Sequence, residues 1–175
     1  MYRNVDMIDE IVPQLPTKED RIKSAYDNCV LLKKFISLEP ADFAHHLEKA
    51  KSDLSRVKQD FEKQYWDWTI IKSYYATMHG LNALLLKEKG FYAKDHFCVL
   101  LALKHFDLIP ADLYLKLREI NTKFSDFTGF DVSYALRKIG QYDVVQWKKL
   151  TKEDAQSVYS LAQEIISYVE KRCFS

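Results

Sequence analysis

Between Arg137 and Lys152 the chain gathers five basic residues, Arg137, Lys138, Lys148, Lys149 and Lys152, against a single acid, Asp143. Tyr142 and Trp147 are interleaved with them. Guanidinium and ammonium groups neutralise phosphate, and an aromatic ring offers a base a stacking surface. Arg137, Lys138, Tyr142, Lys148 and Lys149 are therefore the candidates for nucleotide or phosphate binding. A solvated loop surface is the competing reading of the same residues. His79 and His96 are secondary polar candidates, because imidazole titrates near neutrality and can move protons. Each also has a structural reading. His79 lies in a mostly apolar run, and His96 follows Lys94 and Asp95 where a helix begins.

Several other chemistries lack their residues. No GxGxxG or GxxxxGK[ST] run is present, so the usual glycine cradles for dinucleotides and nucleoside triphosphates are missing. There is no HExxH, no GxSxG, and no Glu three residues before a His. Asp42 and His45 have the i, i+3 spacing of a ligand pair but stand alone. Neither a metal nor a cofactor is expected. A net charge of +1 gives no bulk electrostatic case for polyanions. Cys29, Cys98 and Cys173 are an odd set without CxxC spacing. They read as reduced thiols of a cytoplasmic protein, with Cys29 and Cys98 packing as small apolar groups. Arg3, Asp6, Asp9 and Glu10 interrupt any secretory signal at the start, and no window approaches a membrane span.

The elements that must position these residues are helices. Apolar residues make up 47% and charged residues 29%, with only four Gly and four Pro, too few for a β-rich chain. Residues 1–16 form an N-terminal extension with room for a short helix before Pro13 and Pro16. Residues 17–175 read as one domain. Thr17 caps a helix with Ile22, Tyr26, Cys29, Leu32 and Ile36 on one side. Pro40 opens another, with the stripe Phe43, Leu47, Ala50, Leu54, Val57 and Phe61. The longest helix follows Trp66. Trp68, Ile71, Tyr75, Met78 and Leu85 form its main face, which Ile70, Tyr74, Leu81 and Leu84 widen. Ala76, Gly80 and Ala83 make a small-residue stripe for close helix approach, and Gly90 is the C-cap. A shorter helix runs from Lys94 to Phe106. Pro110 opens the next, carrying Leu113, Leu117, Ile120, Phe124 and Phe127 and ending at Gly129. Residues 130–150 are irregular, with a helical turn near Tyr134 to Ile139. Thr151 starts the last helix, bearing Val158, Leu161, Ile165 and Tyr168. The fold class is all-α, an up-and-down bundle of about five main helices.

Four segments, in order, resemble the HEPN domains. Leu47-Glu48-Lys49-Ala50 with Asp53-Leu54 is similar to the family's first core helix. Trp68, Tyr74-Tyr75-Ala76, His79 and Leu84-Leu85 are similar to its second. Gly90, Lys94 and His96 resemble the step into the third. Arg137-Lys138-Ile139-Gly140-Gln141-Tyr142 resembles the element before the final helix. The resemblance covers roughly residues 40–172. It implies an all-α bundle that commonly dimerises and is often paired with a minimal nucleotidyltransferase in toxin–antitoxin systems. Its catalytic members are metal-independent RNases with Arg-x4–6-His. None of the six arginines here has a His five to seven residues later, and after Arg137 the position holds Tyr142. A phenol that titrates near pH 10 is a poor proton shuttle at pH 7. The expectation is thus a homodimeric, cytoplasmic binding module for a nucleotide, RNA or a nucleotidyltransferase, with catalytic residues unassigned. The alternatives are a divergent metal-independent endoribonuclease using Arg137 with Tyr142, His79 or His96, and a purely structural or interaction dimer.

Overall fold

The computed structural model describes residues 14–124 and 148–175. The short helix expected before Pro16 and the turn near Tyr134 lie outside the described residues. Among the described residues six α-helices follow in order: α1 (Glu19–Leu31), α2 (Phe43–Glu62), α3 (Trp66–Lys89), α4 (His96–His105), α5 (Ala111–Lys123) and α6 (Lys152–Phe174). Two short strands, β1 (Phe35–Ser37) and β2 (Phe91–Ala93), pair antiparallel, with Ile36 opposite Tyr92. The described residues are all-α apart from this ribbon. Among the described residues, no helix is long and apolar enough to cross a membrane.

α3 is the central element because it is apolar nearly all round, and such a helix must be covered on every side. Ile70, Leu81, Leu84, Leu85 and Leu86 are fully buried. Each such side chain contributes about 1.5–3 kcal/mol of transfer free energy. The expected main face is buried only in part: Met78 and Leu85 lie in the core and Ile71 is half-buried, but its other two members face solvent. Trp68 and Tyr75 are 52% and 43% exposed, while Ile70, Tyr74, Leu81 and Leu84 form the core side. Both sets keep helical spacing, so periodicity alone could not choose between them. The small-residue stripe serves close approach. A Cβ at Gly80 would lie 3.3 Å from Ile166 Cγ1 on α6 and 3.9 Å from Ala50 Cβ on α2. The hydroxyls of Thr69 and Thr77 bond back to the Tyr65 and Ser73 carbonyls, which lets them sit buried within the helix.

The helix ends differ from expectation in one respect. α1 stops at Leu31, so Leu32 and Ile36 leave the expected stripe and Ile36 joins β1. Lys33 turns left-handed (φ 53°), the Lys33 amide donates to Val30 and the Lys34 amide to Cys29. That is a Schellman closure, which satisfies the last carbonyls of the helix. α2 and α4 close in the same way on Gln64 (φ 62°) and Asp107 (φ 54°). Gly90 caps α3 at φ 76°, as expected, and the chain passes directly into β2. The buried Asn82 side chain then fixes β2, donating to the Ala93 carbonyl (2.9 Å) and accepting from its amide (3.1 Å). α5 ends at Lys123; Phe127 and Gly129 lie outside the described residues.

The cysteines correct the reduced-thiol expectation. Cys29 of α1 and Cys98 of α4 form a disulfide with Cα atoms 5.8 Å apart, and Cys173 is a buried free thiol. Sixty-nine positions separate the pair in sequence, so spacing gave no sign that α1 packs on α4.

Candidate functional site

Described residues on either side of the basic segment meet each other. Lys123, the last residue of α5, meets Asp154 in the first turn of α6 at 2.8 Å. Thr151 and Asp154 form a capping box: the Thr151 hydroxyl accepts from the Asp154 amide, and the Asp154 carboxylate accepts from the Thr151 amide. Burial alone would raise the Asp154 pKa. The Lys123 ammonium and the two Thr151 donors outweigh it and hold the carboxyl below its usual range. Lys148 and Lys149 are exposed in the turn that enters α6, with no carboxylate partner among the described residues. Arg137, Lys138 and Tyr142 lie outside the described residues. Beside the Lys123–Asp154 pair, a cleft of about 310 Å³ opens between α5 and α6. Its Lys116 is neutralised by both carboxylate oxygens of Glu164 at 3.0 Å, so the cleft itself offers an anion little.

His79 is half-buried on α3 and faces α2, its ring 6.1 Å from that of His46. The His46 ring in turn lies 5.0 Å from Tyr92 of β2. Burial lowers the pKa of both imidazoles. At His46 the neighbouring His79 and His45 add to that lowering while Asp42 opposes it. At His79 Asp53 opposes it and Lys49 adds to it. Both rings are therefore predominantly neutral at pH 7 and able to accept a proton. His96 is the first residue of α4 and packs on other rings: Tyr74 at 5.3 Å and Tyr75 at 5.7 Å. Asp95 caps α4 by accepting from the Cys98 amide at 3.2 Å, and Lys34 pairs with it. His79 and His96 thus serve separate aromatic clusters.

Three features escaped the sequence. His46 gains its importance only from the α2–α3 packing that sets it beside His79. Tyr74 and Asn121 are buried side chains on α3 and α5 that lie beside each other, and their polar atoms fall short of good hydrogen-bond geometry with any described residue. The Tyr74 phenol is raised well above its usual value, first by burial. Lys18, Arg21 and Arg118 line a common cavity although Arg118 is remote in sequence. No local motif could have announced these, because each depends on contacts between distant helices.

The model of the HEPN domain matches residues 43–172. The chain belongs to the HEPN family. The matched region starts at the first residue of α2 and runs into the last turn of α6, so it spans the α2–α3–α6 core and the basic segment. In this HEPN protein α1 and β1 precede the match. No curated protein and no solved structure matches the chain. HEPN domains are commonly nucleotide- or RNA-related.

Proposed function

We propose that this HEPN protein is a binding module for RNA or a nucleotide, engaging phosphate through the basic segment from Arg137 to Lys152. The observation that carries this reading is the charge at the entrance to α6, which has no carboxylate partner among the described residues. Lys148 and Lys149 are exposed beside a tightly capped helix start, within a segment holding five basic residues and one acid. Phosphate contacts of this kind dominate nucleic-acid affinity and weaken with salt. Tyr142 and Trp147 supply stacking surface. Tyr142 in place of an expected histidine favours binding over cleavage. As for related domains, a homodimer and a minimal nucleotidyltransferase partner belong to the same proposal. Titration of labelled RNA and nucleotides at low salt tests it. Micromolar binding that Arg137→Ala weakens supports the reading, and absence of binding sinks it.

A second reading, metal-independent RNA cleavage, is favoured by the paired neutral imidazoles of His46 and His79 with Lys49 nearby. One neutral ring could accept the 2′-hydroxyl proton while the other, in its minority protonated form, donates a proton to the leaving oxygen. RNA cleavage in EDTA that His79→Ala abolishes would establish it. Intact RNA after prolonged incubation would remove it.

A further inference from the structure

We propose that a second, separate anion site lies where α1 meets α5 and takes the terminal phosphate of a small phosphorylated ligand. A cavity of about 390 Å³ opens there, with Lys18, Arg21 and Arg118 on its walls and no acidic residue in its lining. Its volume suits a phosphate and a sugar-sized body.

The cavity is built on a pinned segment. Tyr114 and Arg118 stand one turn apart on α5 and hold the chain that leads into α1. The Tyr114 hydroxyl donates to the Pro16 carbonyl at 2.8 Å. Arg118 Nε donates to the Leu15 carbonyl at 2.7 Å, and its Nη2 to Gln14 Oε1 at 3.0 Å. Leu15 is buried beneath them. Burial pushes the Tyr114 phenol up to about 12, against the opposing effect of Arg118, so this donor keeps its proton at any physiological pH. Arg118 is thereby oriented in advance, yet its bonds go to neutral acceptors and leave N–H groups over.

Charge makes the case for an anion. Among the described residues neither Arg21 nor Lys18 has an ion-pair partner and Arg118 has no carboxylate partner. Three cations around one hollow repel each other, and a dianionic phosphate removes that repulsion while accepting bidentate guanidinium bonds. α1 adds to this, because the Lys18 side chain does not cap it and the N-terminal end of its dipole favours an anion. Glu19 and Asp20 in that first turn oppose it, but neither lines the cavity. Ala25 and Phe97 supply an apolar wall for the body of the ligand. The site draws on α1, which precedes the residues the HEPN model matches. It is therefore independent of the basic segment.

The test uses calorimetric titration of the full chain with inorganic phosphate, ribose 5-phosphate and AMP, with adenosine as the neutral control. Sub-millimolar binding of the phosphate esters, weaker binding of inorganic phosphate and none of adenosine are expected. Arg21→Gln should weaken ribose 5-phosphate about ten-fold, and Lys18→Gln with Arg21→Glu should abolish binding. Both positions are exposed, so the fold survives these changes, and circular dichroism checks it. Amide shifts in an ¹⁵N spectrum should centre on Glu19 to Arg21. Lys148→Glu with Lys149→Glu should leave this binding unchanged while weakening RNA. Adenosine binding as well as AMP would overturn the proposal, as would no ester binding by 10 mM or full affinity in the Arg21 variants.

Discussion

Breaking the Cys29–Cys98 disulfide should lower the stability of the protein by about 4 kcal/mol. The bond joins residues 69 positions apart, across α1, the β ribbon, α2 and α3. Opening that loop returns to the unfolded chain the entropy of closing it, about 15 cal/mol/K, or roughly 4.4 kcal/mol at 25 °C. For a chain of this size a urea m-value of about 2 kcal/mol/M converts the loss to a midpoint lower by about 2 M. α1 should suffer most, because its main packing partner is α4. Urea melts with and without reductant measure the effect on the unmodified chain. Cys29→Ala with Cys98→Ala is a less clean comparison, since it also deletes two buried sulfurs. Thiol titration provides the control. The native oxidised protein should show no reactive thiol, because burial raises the Cys173 pKa, and one thiol after unfolding. Three thiols after unfolding without reductant, or a midpoint indifferent to reductant, would refute the reasoning.

Other consequences follow from particular contacts. Gly80→Val should cost about 1–3 kcal/mol by driving Ile166 from its place, as a melt would show, whereas Gly80→Ala gains helix propensity against a 3.3 Å contact and should be nearly neutral. Asn82→Ala leaves the Ala93 amide and carbonyl buried without partners and should destabilise by roughly 2–4 kcal/mol, read by thermal unfolding. His46 and His79 have folded pKa values below the free value of about 6.5. The unfolded chain then binds protons first, so stability should decline as pH falls below about 6.5 and through the folded values. His46→Gln with His79→Gln should flatten that slope between pH 7 and 5; an unchanged slope would discard the assignment.

The fold was largely legible because its strongest signals are local. The stripe of α2, the apolar run of α3, the cap at Gly90 and the Thr151 start of α6 each need only a few neighbouring residues. The ends of α1, α2 and α4 were less so. They turn on Lys33, Gln64 and Asp107, where tertiary structure imposes a left-handed residue without the glycine that would advertise it. The β ribbon escaped for a related reason, since three-residue strands carry no periodicity to read. Trp68 and Tyr75 misled because a helix that is apolar all round does not say which side meets solvent. The family was readable from ordered local segments, and the match over residues 43–172 agrees with them. The α1–α5 cavity was not, since it joins Arg21 to Arg118 across the fold.

Fluorescence anisotropy of a labelled single-stranded RNA, titrated with protein at 50 mM salt and again at 200 mM, tests the binding-module reading most directly. That reading predicts micromolar affinity at the lower salt and at least ten-fold weaker binding at the higher. Arg137→Ala and Lys148→Ala with Lys149→Ala should each lower affinity without altering the melting temperature. Absence of binding at 50 mM salt, or affinity that all of these variants retain, would contradict it.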